Sequence, residues 1–259
     1  SVYKQHYKMK RLIIIPIALV AFAFSFPAKK KVKIFLAGDS TCAIKDTKAY
    51  PETGWGMPFV SFWDSTVTVV NRAKNGRSTK SFIKEGLWKS IMDEAKEGDY
   101  VIIQFGHNDA SKDKGERYAT PDTFKMNLNR FIKETREKKA TPILFTPVSR
   151  RKFDKEGNAV ETHKEYAALT KEVAAAQKVL FFDLDEKSRA LYQQIGDENS
   201  KLLFLQLEAG EHPNYPEGKV DNTHFNELGA RLIAQLILKE LKTLNIELTE
   251  RIIVPPIKK

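Results

Sequence analysis

Five short apolar runs constrain the fold of this chain more than any other feature. They are Lys33–Ala37 (KIFLA), Val67–Asn71 (VTVVN), Tyr100–Phe105 (YVIIQF), Pro142–Pro147 (PILFTP) and Val179–Asp183 (VLFFD). β-Branched and aromatic residues dominate them, and none alternates cleanly between apolar and polar. A strand wetted on one face alternates, so these read as strands covered on both faces. Helical spacing fills the intervals, at Thr79–Ala95, Phe124–Lys138, Thr162–Lys178 and Asn226–Leu241, the third opening on a threonine suited to an N-cap. Strands alternating with helices form βαβ units around a parallel sheet, and right-handed crossovers lay helices on both of its faces. The predicted architecture is a three-layer α/β/α sandwich on a five-stranded parallel sheet. Two loops, Ala110–Pro121 and Leu203–Val220, are longer than the rest, and long loops in such domains often carry substrate contacts.

No Gly/Ser linker, repeat or low-complexity segment divides the chain, so one domain is expected over residues 32–247, with 248–259 as a tail. The first 25 residues stand apart. A basic cluster (Lys8, Lys10, Arg11) precedes an uncharged apolar run from Leu12 to Phe26 that contains Pro16 and the small residues Ala23 and Ser25. The run is short for a membrane span and carries a cleavage-like pattern, which reads as a secretory signal peptide; a single anchoring helix is the alternative. A secreted, periplasmic or cell-envelope location follows, with no stable membrane insertion once that segment is removed. The only cysteine is Cys42, which leaves no intrachain disulfide and no cysteine-built metal site. The formal charge of +10 falls to +6 without residues 1–25, on 43 basic and 33 acidic residues in all. Such an excess suits an acidic polymer, for example a uronic-acid polysaccharide. No arginine-rich block interleaved with aromatics points to nucleic acid.

Doubly wound sheets bind ligands beyond the carboxyl ends of their strands, so polar residues there are the ones to weigh. After the first run comes Gly38-Asp39-Ser40, where a glycine permits a sharp turn and the following N–H groups favour an anion. An Asp-Ser pair is also an ordinary cap. Gly76 follows the second run, within NRAKNGRST, and could let a backbone N–H approach a ligand or merely form a turn. Gly106-His107-Asn108-Asp109 follows the third. Late in the chain, in DNTHFNELGA, Asp221 stands three residues before His224. In a helical turn that spacing brings a carboxylate to one imidazole nitrogen and leaves the other facing outward. His212, Asp221 and His224 together are a weaker metal reading, because no tight ligand cluster accompanies them. Arg77 and the pair Arg150-Arg151 follow strand ends and could meet carboxylates, although solvated surface charge explains each one alone.

Each block is weak alone, but their order is specific. Gly-Asp-Ser, then Gly, then Gly-His-Asn-Asp, then Asp-x-x-His resemble the four blocks of the SGNH (GDSL-type) hydrolases, here Ser40, Gly76, Asn108 and His224. The resemblance runs from about Lys33 to Leu241. Within the family, AGDSTCA, NGRSTKSF, FGHNDASK, TPVSRRKF and NTHFNELGA are similar to the rhamnogalacturonan acetylesterase group. The resemblance implies a flavodoxin-like fold and a serine esterase acting on acetylated acidic polysaccharide, with no metal or organic cofactor. It implies Ser40 as nucleophile, His224 as base and Asp221 as its orienting carboxylate. An oxyanion hole of the Ser40 and Gly76 N–H groups and the Asn108 amide goes with these roles. Asp39 is expected to fix the serine turn, His107 and Arg77 to contact substrate, and Cys42 to be a small packed side chain. An acetyl-xylan or short-chain esterase of the same family is the alternative activity, and a carbohydrate-binding relative with lapsed catalysis is the alternative class.

Overall fold

The computed structural model describes residues 29–254, so the expected export segment lies outside the described residues. Five parallel strands form one sheet: β1 (Val32–Gly38), β2 (Val67–Asn71), β3 (Tyr100–Gln104), β4 (Thr141–Phe145) and β5 (Leu180–Phe182). Their order is β2-β1-β3-β4-β5, the doubly wound arrangement expected from the sequence. The order reverses between β1 and β3, so the crevice of the switch point opens between Ser40 and the Gly106–Asp109 loop.

Double-sided burial explains why the strand sequences do not alternate. On β1, Ile34 and Leu36 enter one core with Trp55, Tyr192 and Ile237, while Phe35 and Ala37 enter a second with Phe82, Trp88 and Phe131. All four β1 side chains are essentially solvent-free. One layer holds the short α1 (Gly56–Phe59), and further along the chain α6 (Leu184–Ile195), α7 (Asp197–Ser200) and α8 (Glu227–Thr243); the other holds α2 (Thr79–Lys84), α3 (Leu87–Glu94), α4 (Pro121–Glu137) and α5 (Lys164–Gln177).

Four local expectations are corrected. The helix read over Thr79–Ala95 is two, α2 and α3, broken at Gly86, which caps α3 at φ 73°. The cap of α5 is His163 and not Thr162, whose hydroxyl instead accepts the Arg150 N–H after β4 at 2.9 Å. The supposed loop Leu203–Val220 contains β6 (Phe204–Leu207), which pairs antiparallel with β7 (Lys219–Phe225). Beyond residue 247 the chain stays packed: Leu248 is buried, and the buried Arg251 donates to the Lys30 carbonyl and to Thr66 Oγ1. Among the described residues, no helix is long and apolar enough to cross a membrane.

Candidate active site

Ser40 begins the single helical turn that ends β1. The Asp39 carbonyl accepts the N–H groups of Cys42 and Ala43 at 3.2 and 3.1 Å. Asp39 Oδ1 accepts both the N–H and the hydroxyl of Thr41, at 2.9 and 2.7 Å, and so fixes the turn as expected. These bonds leave the Ser40 N–H without an acceptor among the described residues. Beneath the turn, Trp55 Nε1 donates to Gln104 Oε1 at 2.7 Å and Gln104 Nε2 donates to Thr41 Oγ1 at 3.0 Å. A buried polar chain of this kind is stable only when every member is satisfied, so it holds the turn in one conformation. Cys42 is buried, and burial pushes its thiol pKa well up, as befits a packed side chain.

His224 reaches Ser40 from β7, in the separate two-stranded sheet. Its Nε2 lies 2.9 Å from Ser40 Oγ and its Nδ1 lies 2.8 Å from Asp221 Oδ2. The local geometry differs from the helical turn expected. Asp221 and His224 belong to β7, where three-residue spacing would normally put them on opposite faces. A register shift solves this: Phe204 pairs with Phe225, yet Leu205 pairs with Asp221, so Asn222, Thr223 and His224 bulge from the ladder. Asp221 Oδ1 closes the bulge by accepting the N–H groups of Thr223 and His224, at 2.7 and 2.9 Å. Arg151 braces it from behind: its N–H donates to the Asn222 carbonyl, Nη1 donates to Asn222 Oδ1 at 3.1 Å and Nη2 pairs with Asp197. Burial alone would raise the Asp221 pKa, but the hydrogen bond and charge of His224 and the two N–H donors hold it well below the ordinary carboxylate value.

The two remaining blocks come together beside this pair. Gly76 turns the loop after β2 at φ +73°, a backbone conformation that favours glycine, and the tip of Arg117 rests where a Cβ would be, with Nη1 2.8 Å from that point. Asn108 Nδ2 donates to the Arg77 carbonyl at 3.0 Å and Oδ1 accepts from Lys114 Nζ at 2.9 Å. One of its two amide hydrogens is thus used, and the orientation of the amide is fixed by Lys114. Lys45, nearly buried, bonds both Glu52 and Asn75 at 2.7 Å and so ties the serine segment to the Gly76 loop.

The two expected substrate contacts are placed elsewhere. His107 is 3% exposed, its Nδ1 lying 3.1 Å from Asp39 Oδ2 and its ring 4.2 Å from that of His163. Burial pushes its pKa down against the pull of Asp39, so a neutral His107 donates to the carboxylate that fixes the serine turn. The Arg77 guanidinium turns to Glu85, at 2.8 and 3.0 Å; only its carbonyl serves the site. Among the described residues no group of three or more His, Cys, Asp or Glu side chains is placed to hold a metal ion.

The setting of Asp109 is not legible in the sequence, because its partner Thr79 lies thirty residues earlier in the chain. Asp109 is fully buried, and Oδ1 accepts the N–H and hydroxyl of Thr79, at 2.9 and 2.6 Å, across from α2. Burial pushes its pKa up from 3.8 to about 7, with the Thr79 donors opposing. The folded state therefore keeps a proton that the unfolded chain releases, and stability falls as pH rises from about 4 to about 7, by at most about 1.4 kcal/mol per pH unit. Asp109→Asn is expected to flatten this part of the profile when urea midpoints are measured across it; an unchanged slope would assign the effect to another group.

Comparisons with known proteins agree with this architecture. Over 225 residues the chain is 40% identical to rhamnogalacturonan acetylesterase RhgT of Bacillus subtilis (strain 168), covering 87% of this chain and 96% of that one. The crystal structure of protein YxiM from Bacillus subtilis superposes with a TM-score of 0.73 at 28% identity, over 85% of this chain and 58% of that one. An acetyl xylan esterase variant from Geobacillus stearothermophilus shares the fold at a TM-score of 0.57 and 18% identity, over 87% and 98% of the two chains. The profile of a family of ester-cleaving hydrolases spans residues 36–232, taking in the Ser40 turn, the Gly76 and Asn108 loops and the β7 bulge, and the chain belongs to that family, the GDSL-like lipase/acylhydrolases.

Proposed function

We propose that the chain is a carbohydrate acetylesterase that removes O-acetyl groups from acetylated rhamnogalacturonan through a Ser40-His224-Asp221 triad. The observation that carries the reading is the continuous relay from Ser40 Oγ through both His224 nitrogens to Asp221, at 2.9 and 2.8 Å. The substrate class is supported by the likeness to RhgT over nearly its whole length.

In this mechanism the Asp221 carboxylate accepts from His224 Nδ1–H, which leaves Nε2 with its lone pair toward Ser40. His224 takes the hydroxyl proton as Oγ bonds to the acetyl carbonyl carbon, and the carbonyl π electrons move onto oxygen. The N–H groups of Ser40 and Gly76 and the free amide hydrogen of Asn108 receive that oxyanion. Collapse breaks the carbon–oxygen bond to the sugar, whose oxygen takes the proton from His224. Water repeats the sequence on the acetyl-enzyme, with His224 again the base, and acetate leaves. Residues 1–25 add a location to the proposal, export to the cell envelope or beyond, from their basic cluster and apolar run.

The test is acetate release from acetylated rhamnogalacturonan and, in parallel, from acetylated xylan. Release from the pectic polymer at a clearly higher kcat/KM is expected. Release from xylan alone would keep the chemistry and overturn the substrate; a folded chain that cleaves no acetyl ester would favour a binding protein.

A further inference from the structure

Three cations converge on the candidate active site, and among the described residues none of them is held in an ion pair. Lys114 Nζ sits on Asn108 Oδ1 at 2.9 Å. The Arg117 guanidinium lies against Gly76, with Nη1 2.8 Å and Cζ 3.3 Å from where a Cβ would be. Arg150 Nη1 donates to Thr223 Oγ1 at 2.5 Å, on the bulge that carries His224. Each cation thus rests on a different one of the loops expected to hold the reacting ester. Among the described residues none of the three forms an ion pair, although most of their basic neighbours do: Arg77 pairs with Glu85, Lys45 with Glu52, Lys84 with Glu116 and Arg151 with Asp197. Burial lowers the Lys114 pKa, and the charges of Arg150 and Arg117 lower it further against the pull of Asp113 and Asp39, so Lys114 stands within the field of both arginines. Asp113, next to Lys114 in the chain, is exposed to solvent; the other carboxylates whose charge reaches the three are committed. Glu85 is held by Arg77, Asp39 by Thr41 and His107, and Asp221 by its bulge and His224.

Like charges gathered at a cleft mouth repel, and a chain that has Glu and Asp to spare leaves them unpaired here. We propose that Lys114, Arg117 and Arg150 form a cationic rim that binds the carboxylate of an acidic sugar neighbouring the acetyl ester. This inference rests on the acetylesterase reading and adds which residues select an acidic chain. Arg117 and Arg150 present planar guanidinium groups suited to paired hydrogen bonds with a carboxylate. Lys114 acts also as a positioning residue, since its bond to Oδ1 fixes the amide so that the Asn108 hydrogen not given to the Arg77 carbonyl is left for the oxyanion. The loop Ala110–Pro121 supplies two of the three cations on one short turn, Lys112–Arg117, kinked at Gly115 with φ 52° and ψ −112°.

The experiment uses deacetylated rhamnogalacturonan oligosaccharides as competitive inhibitors of p-nitrophenyl acetate hydrolysis, with neutral xylo-oligosaccharides of equal length as control. Lys114 is left intact, because its loss would also free the Asn108 amide. In the parent chain the acidic oligosaccharide is expected to inhibit more strongly, with a steep salt dependence. Arg117→Gln and Arg150→Gln are each expected to weaken that inhibition roughly tenfold, the loss of one charge-assisted contact, and to flatten the salt dependence. Two results would overturn the rim: variants that bind the acidic oligosaccharide as tightly as the parent, or variants that lose acidic and neutral oligosaccharides alike. Failure of the substrate reading shows separately, as absent acetate release from acetylated rhamnogalacturonan by the parent chain.

Discussion

Ser40→Ala is expected to lower kcat on any acetyl ester by on the order of 10⁴-fold or more while leaving the fold intact. The hydroxyl makes one bond in the structure, to His224 Nε2. The turn around it is held by the Asp39 carbonyl, the Asp39 side chain and Thr41, none of which uses Ser40 Oγ. Removal of that oxygen therefore deletes the proposed nucleophile and little else. A stopped assay of acetate release with circular dichroism on the same samples checks both halves. Residual activity within tenfold of the parent would mean that another group attacks the ester.

Asp221→Asn is expected to cost on the order of 10³–10⁴-fold in kcat with little change in KM, and its cause is more specific. Oδ1 of Asp221 is committed to two backbone N–H groups, at 2.7 and 2.9 Å. An asparagine keeps those bonds only by placing its oxygen there, which turns its NH₂ group toward His224 Nδ1. The imidazole then holds its proton on Nε2 and donates to Ser40 instead of accepting from it. A flipped amide would aim NH₂ at the two N–H groups and open the bulge. The substitution thus reverses the relay without emptying the site. Steady-state kinetics on p-nitrophenyl acetate and an imidazole nitrogen NMR spectrum would together check the rate and the tautomer; an unchanged Nε2 lone pair beside a large rate loss would contradict the explanation.

Much of this site is legible in the sequence because its residues follow strand ends. The apolar runs give β1 and β3, and the carboxyl-end rule then singles out Ser40 and Asn108. Asp221 and His224 are legible as a pair but not as a shape. Three-residue spacing suggests a helical turn, whereas the chain uses a strand with a bulge whose partner β6 lies across an eleven-residue connection, too long for a recognisable hairpin turn. Long side chains were the least legible. Arg77, Arg117, Arg150 and Arg151 all sit in loops near the crevice, yet Arg77 turns to Glu85 and Arg151 to Asp197, and only the folded positions of those acids decide it. His107 reads as a cleft residue by its place after β3 but faces inward, because Asp39 offers it a carboxylate oxygen 3.1 Å away.

The proposed mechanism requires that Ser40 be the group that His224 activates. Treatment of the chain with a fluorophosphonate, followed by proteolysis and mass spectrometry, tests this most directly, since such reagents phosphonylate a serine whose proton a base can accept. The expected result is a single adduct on the peptide carrying Gly38-Asp39-Ser40, forming in proportion to the loss of esterase activity and absent from Ser40→Ala. An adduct on a different residue, or full esterase activity in a chain stoichiometrically modified at Ser40, would contradict it.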